Sequence, residues 1–458
     1  MKRTLVIVCV GVVLATLDLF IVNVAFPAIT RGFDGVALST LSWVLNAYAI
    51  VVAALLVPAG RLTDRSSRKG GFLLGIALFV AASAACAASP DVWFLIGARV
   101  VQAAGAALLI PASLGLLLAA YPPERRAGAV RIYAAMSGIA AALGPVLGGL
   151  LVTASWRWIF LVNVPIGIAA LVAGRRWLPS PPRIEEPAPD LLGAALLALA
   201  SAAVTLALVK AEAWGWGSPR ILGTFAAGVL LLAWFLRRSS AHDSPIVELH
   251  LLRNRQFTAS VVAMFVFSSA FAAMLLSVVV WAQTMWGWSA LKTGLAFAPG
   301  PLMVPLWAIA AGRFVHRTGP GPLAAVGGLV YACGAVWWAT VIGVHADWAG
   351  AMLPGTLLTG TGVGLTLPTW TAAAAGSLPP ERFATGSALI NMARQLGYTV
   401  GVAILVAVLG VAPGLGAYRH GWETIAGLAF ASGIASLALV VRRERIELEP
   451  VTLDLAQP

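Results

Sequence analysis

The sequence predicts an all-α polytopic membrane protein, with two six-helix bundles and two additional helices between them. Three observations carry this reading. Apolar stretches of about 20 residues recur from end to end, each long enough to cross a roughly 30 Å hydrocarbon core as a helix. The 458 residues are 60% hydrophobic and only 10% charged, with a mean hydropathy of +0.90, more apolar surface than a soluble core of this length needs. The chain also repeats itself. Pro111 followed by Pro122-Pro123-Glu124-Arg125 recurs as Pro368 followed by Pro379-Pro380-Glu381-Arg382 at the same internal spacing, and Gly60-Arg61 recurs as Gly312-Arg313.

The first segment follows Met1-Lys2-Arg3. It is too long for the apolar core of a signal peptide and lacks a small-residue cleavage site, so it is expected to stay as the first span. Fourteen spans are expected, at approximately 5–29, 43–61, 71–89, 92–120, 128–152, 158–178, 191–211, 219–236, 256–282, 291–312, 322–343, 348–375, 384–410 and 421–441. They divide into a first bundle over 1–178, a central linker with two spans over 179–254, a second bundle over 255–441, and a tail over 442–458. Pro179–Asp190, rich in proline and charge, and the polar Arg237–Arg255 flank the central pair, and neither can hold a folded domain. Function is therefore expected within the membrane. Parallel six-helix repeats place a transport site between the halves, near the midplane.

Orientation comes from the basic residues. With both termini in the cytoplasm, six of the 30 Lys/Arg lie in outside loops (Arg31, Arg157, Lys210, Arg220, Lys292, Arg419) and two lie within spans (Arg99, Arg394). The remaining 22 lie inside, as the positive-inside rule requires. The net charge of +12 is thus read as membrane orientation and not as a nucleic-acid surface. Cys9, Cys86 and Cys333 are scattered in apolar runs and form neither a disulfide framework nor a metal site. Each of the four lysines is preceded by Met, Arg, Val or Leu, which excludes a P-loop, so an ion gradient is expected to supply the energy and no cofactor is expected. All five His fall in loops or at span ends, and one deep acid cannot make an aspartyl dyad, so the chain is not read as an enzyme.

Asp18 is that acid. Of the 18 acidic residues it alone falls well inside a span, about 13 residues and roughly 20 Å from the cytoplasmic end. An ionisable residue at membrane depth marks a functional site by default. Burial favours its neutral form and a nearby cation its charged form, so a change of surroundings would move a proton on or off. Arg99 lies at similar depth in the fourth span and supplies such a cation. A static ion pair between the two is the alternative.

Four motifs in order resemble those of the major facilitator superfamily, in its fourteen-helix drug:proton antiporter family. They are Leu17-Asp18 through Phe26-Pro27 in the first span, Gly60-Arg61-Leu62-Thr63-Asp64-Arg65-Ser66-Ser67-Arg68-Lys69 in the 2–3 loop, Arg99 through Ala107 in the fourth span, and Gly144-Pro145-Val146-Leu147-Gly148-Gly149 in the fifth. Trp156–Pro165, Trp214–Pro219 and Gln283–Ser289 echo the same group. Ser67, Ala103 and Ala140 stand where the family usually has Gly.

The resemblance covers nearly the whole chain. It implies that Asp18 and Arg99 serve proton coupling, with Arg99 tuning the Asp18 carboxyl or relaying its charge, and that Gly60, Asp64, Arg65 and Arg68 brace a cytoplasmic gate. It implies that Gly144, Pro145, Gly148 and Gly149 form the helix-5 antiporter motif, where small residues allow close approach and Pro removes a hydrogen bond, so that helix 5 bends or pivots.

Polar or aromatic groups at membrane depth are candidate cavity residues: Asn23, Asn46, Tyr48, Gln102, Trp281, Gln283, Asn391, Arg394 and Gln395. Interhelical hydrogen bonding is the alternative role for each. So few interior charges imply a mostly apolar cavity. The expected function is proton-coupled export of hydrophobic or amphipathic small molecules from the cytoplasm, through the inner membrane of a bacterium, by a monomer. A dedicated exporter of one endogenous metabolite or self-made antibiotic is the alternative.

Overall fold

The computed structural model describes residues 1–33, 35–180, 190–378, 383–410 and 413–439. The second copy of the repeated motif, Pro379-Pro380-Glu381-Arg382, most of the first linker and the expected tail lie outside the described residues. Long helices dominate what is described: α1 (Lys2–Arg31), α2 (Trp43–Arg65), α3 (Arg68–Ala87), α4 (Val92–Ala120), α5 (Pro123–Val152), α6 (Asn163–Trp177) and α7 (Leu191–Trp214). They continue as α8 (Pro219–Ala241), α9 (Arg255–Thr284), α10 (Pro299–Thr318), α11 (Pro320–Val341), α12 (Leu353–Gly376), α13 (Phe383–Leu409) and α14 (Leu415–Ser436).

Among the described residues, eleven stretches are long and apolar enough to cross a membrane. The long helices α5, α12 and α14 stand between or after them, where the sequence reading expects its fifth, twelfth and fourteenth spans.

Local chemistry sets the helix starts. Asp91 accepts hydrogen bonds from the backbone N–H groups of Trp93 and Phe94 at 2.9 Å, and Asn254 accepts from Gln256 and Phe257, satisfying donors that a helix start leaves unpaired. Ser67 opens α3 the same way, its Oγ taking the Gly70 N–H at 3.0 Å. Its φ of −165° is extended backbone, so the glycine usual at this point of the family motif is not required here. The expected span 291–312 is two helices, Ala290–Phe297 and α10. They join at Ala298-Pro299, and the proline provides no N–H to continue the ladder.

The first six helices form one bundle and the last six another. Tight crossings use small residues: Gly75 and Gly105 bring α3 and α4 so close that a Cβ at either would meet backbone of the other helix below 3 Å. The halves meet where α2 lies on α13, α1 lies on α9, and α5 lies on the short helix Ala290–Phe297. In that last crossing a Cβ on Gly149 would reach the Ala290 carbonyl at 2.5 Å. Gln283 on α9 donates to the Val24 carbonyl on α1 at 2.9 Å. The central pair sits to one side. α7 touches α2 and α13, whereas α8 packs chiefly on α7 and leaves Leu222, Val229, Leu230 and Trp234 exposed, as a lipid-facing helix does.

Candidate functional site

Asp18 and Arg99 are both fully buried and bonded to each other, Nη1 to Oδ2, at 2.5 Å. Helical spacing then builds the surroundings. Gln102, one turn from Arg99 on α4, donates to Asp18 Oδ1 at 2.8 Å and to Ser83 at 2.8 Å, and its Oε1 accepts from Arg99 Nη1 at 2.7 Å. Asn163, the first residue of α6, donates to the same Oδ1 at 3.3 Å and to Ser83 at 3.4 Å. Arg99 Nε reaches the Val44 carbonyl at 3.1 Å, and its guanidinium lies 4.1 Å from the Tyr48 ring centroid. Five of the first six helices therefore contribute to one buried pair.

Such a pair contributes little net stability, because the cost of removing both charges from water offsets most of their attraction. What it provides is a carboxylate whose charge is tied to the position of another helix. Its two oxygens accept three hydrogen bonds. Adding a proton removes the negative charge opposite Arg99 and leaves the guanidinium with neutral partners, the Gln102 and Val44 oxygens and the Tyr48 face.

On the other side of α1 and α2 lies a cleft between the halves. Leu19, Asn23, Asn46 and Ala49 line it from the first half, and Phe271, Leu275, Tyr398 and Val402 from the second. The cleft is apolar and nearly closed, with room for about one water, so a larger molecule enters only when the halves part. Leu19 is the neighbour of Asp18, and Asn46 stands two residues from Tyr48. The same two helices thus face the charged cluster on one side and the cleft on the other. Phe20 continues this wall, its ring T-shaped to Phe271 at 6.3 Å. The glycines of α5 hold α1 at that point: a Cβ on Gly144 would meet the Phe20 Cβ at 2.5 Å, and one on Gly148 the Ile21 carbonyl at 3.1 Å.

The candidate residues separate into groups. Asn23 and Asn46 line the cleft. Tyr48 and Gln102 serve the Asp18 cluster instead. Trp281 is fully buried among Trp286, Tyr418 and Trp422, with ring centroids 6.4, 4.9 and 5.5 Å away, and Gln283 bridges the halves. Asn391 bonds the Ser387 carbonyl of its own helix, while Arg394 and Gln395 stand about one turn before Tyr398 on α13.

In the 2–3 loop Asp64 pairs with Arg68, Lys69 donates to the Leu178 carbonyl at 2.9 Å, and Arg65 is exposed. Gly60 lies against Pro111. Sequence reasoning missed Ser83 and did not single out Asn163. Both are polar residues inside otherwise apolar runs, the signal that could have found them. It also missed Arg61, which bonds Ser244 and lies 3.6 Å from Glu248, joining the end of α2 to the segment before α9.

Residues 8–402 match the sequence pattern of the Major Facilitator Superfamily. The chain belongs to the major facilitator superfamily. Superfamily relatives include the tetracenomycin C resistance and export protein of Streptomyces glaucescens, 33% identical over 88% of this chain and 74% of that protein. The methylenomycin A resistance protein of Bacillus subtilis (strain 168) is 34% identical over 93% of this chain and 90% of its own length. The multidrug resistance protein Stp of Mycobacterium tuberculosis is 32% identical over 89% and 75%. Among solved structures, a peptide transporter POT in complex with sulfate superimposes with a TM-score of 0.70 over 95% of this chain and 93% of its own. At 18% identity that likeness is one of fold.

Proposed function

We propose that this superfamily member is a proton-coupled antiporter that exports hydrophobic or amphipathic small molecules from the cytoplasm. The observation that carries the proposal is the buried Asp18–Arg99 pair, with Asp18 on α1, a helix whose other face lines the cleft. A proton on Asp18 weakens the tie between α1 and α4, and any shift of α1 moves Leu19 and Asn23 in the cleft wall. Substrate and proton then favour different arrangements of the two halves, which is what coupled exchange requires. Relatives named for resistance to, or export of, antibiotics support the cargo class.

The reading places fourteen spans in a bacterial inner membrane with both termini in the cytoplasm. The crossing of α5 with Ala290–Phe297 then closes the outer face, and the loop carrying Asp64 and Arg68 guards the inner one.

The test is transport in liposomes containing the purified chain, with an imposed pH gradient and no ATP. Wild type accumulates a lipophilic dye against its gradient. Asp18→Asn inserts and folds but shows no gradient-driven accumulation. A normal rate in that variant refutes the coupling role.

A further inference from the structure

We propose that the cleft selects aromatic molecules bearing an acidic oxygen, a carboxylate or an ionised phenol or enol, over lipophilic cations. This rests on the cleft being the substrate site. Three observations point to the class.

First, Arg394 lies about 17 Å along α13 from its first residue, at membrane depth. It is partly buried, its Nε is enclosed without a hydrogen-bond partner, and it has no ion-pair partner among the described residues. Arg394, Tyr398 and Val402 follow at four-residue spacing on one face of the helix, and the latter two line the cleft. Asp18 cannot neutralise this charge, because Arg99 already holds it. Among the described residues no acidic side chain lines the cleft, and Arg394 stands one turn of α13 before its wall residue Tyr398.

Second, Asn46 is fully buried in the cleft wall with both its Nδ2 and its Oδ1 unpaired. A buried amide left without partners is costly, and a ligand presenting an oxygen and a hydroxyl or N–H would satisfy both atoms. Third, the Phe271 and Tyr398 rings stand 5.9 Å apart, tilted by 35°, with Phe20 edge-on behind Phe271. These are faces on which a flat ring system stacks.

A guanidinium suits a carboxylate because its planar fork matches the two oxygens. A cationic drug in the cleft would sit about one turn of α13 from Arg394, and like charges in a low-dielectric setting repel strongly.

The experiment is equilibrium dialysis of the full-length purified chain against three probes: anthraquinone-2-carboxylate, its neutral carboxamide, and ethidium. Wild type binds the carboxylate about tenfold or more tighter than the carboxamide, as one charge-assisted hydrogen bond provides, and binds ethidium weakest. Arg394→Gln removes the preference for carboxylate over carboxamide, and Arg394→Lys retains most of it. Asn46→Leu weakens both anthraquinones. Reading a ratio of affinities makes the result independent of how much of each variant folds.

Equal affinity for carboxylate and carboxamide in wild type, tightest binding of ethidium, a ratio unchanged by Arg394→Gln, or no binding of any probe overturns the proposal. The dialysis uses no pH gradient. Loss of the class preference alongside intact Asp18-dependent transport therefore sinks this inference alone, and the reverse result sinks the coupling reading alone.

Discussion

Arg99 Nη1 and Asp18 Oδ2 lie 2.5 Å apart on different helices, with neither side chain exposed. The two partners are not equivalent. A carboxylate that loses its cation can become neutral by taking a proton, whereas a guanidinium that loses its carboxylate stays charged.

Asp18→Asn is therefore expected to destabilise the protein more than Arg99→Met. The first leaves an uncompensated buried cation, at about 3–5 kcal/mol, and the second a residue able to neutralise itself. The double variant should regain most of the lost stability and none of the coupled transport. Thermal unfolding of the three variants in detergent, alongside liposome transport, checks this. Equal losses in the two single variants would contradict it.

Gln102 and Asn163 both reach Asp18 Oδ1, but with different reach and connectivity. Gln102 makes its bonds to Asp18, Ser83 and Arg99 at 2.7–2.8 Å, while those of Asn163 are 3.3 and 3.4 Å. Gln102→Leu should lower unfolding stability by about 1–3 kcal/mol, and Asn163→Leu by clearly less. A larger loss for Asn163→Leu would mean that the cluster is organised from α6 and not from α4.

Gly149→Val should jam the crossing of α5 with Ala290–Phe297, since its Cβ would meet backbone that cannot turn aside. Overpacking of this kind costs about 1–3 kcal/mol. Initial transport rates should fall with it if this contact closes and opens in each cycle. Gly138, on the same helix, has nothing within 4 Å of an added Cβ, so Gly138→Ala should leave stability equal or up to about 1 kcal/mol higher. Rate assays and melting curves on this pair separate a local clash from a general sensitivity of α5.

Arg61 and Glu248 face each other at 3.6 Å with side chains 16% and 10% exposed, and His250 lies 3.5 Å from the same carboxylate. A double-mutant cycle on Arg61→Gln and Glu248→Gln should give a coupling of about 0.5–3 kcal/mol. A coupling of that size biases one arrangement of α2 against the segment before α9. A coupling indistinguishable from zero would remove Arg61 from any role in holding the halves.

The helical architecture was legible because membrane spans announce themselves through length and apolarity, and because Asp18, Arg99 and the α5 glycines are costly or conspicuous where they stand. The interruption at Ala298-Pro299 was not read, since the apolar run continues through it and only the missing N–H marks the break. Asn23 and Asn46, picked out by polarity at depth alone, stand in the cleft wall. Tyr48 and Gln102 look the same in sequence, yet helical phase turns Tyr48 to the other side of α2, and Gln102 stands on α4, which does not reach the cleft. Trp281 is similarly ambiguous: an aromatic at depth serves a cavity or a packed cluster equally well, and only the approach of Tyr418 and Trp422, more than 130 residues away in the chain, decides it. The link from Arg61 to Glu248 was invisible for the same reason of distance along the chain.

Among the described residues α8 leans chiefly on α7 and leaves an apolar face exposed. Residues on its outward side have no neighbour to fit among the described residues, so mutation there is filtered by oiliness and not by shape. This is the surface on which an engineer can place a fluorophore or an epitope and leave the moving machinery untouched.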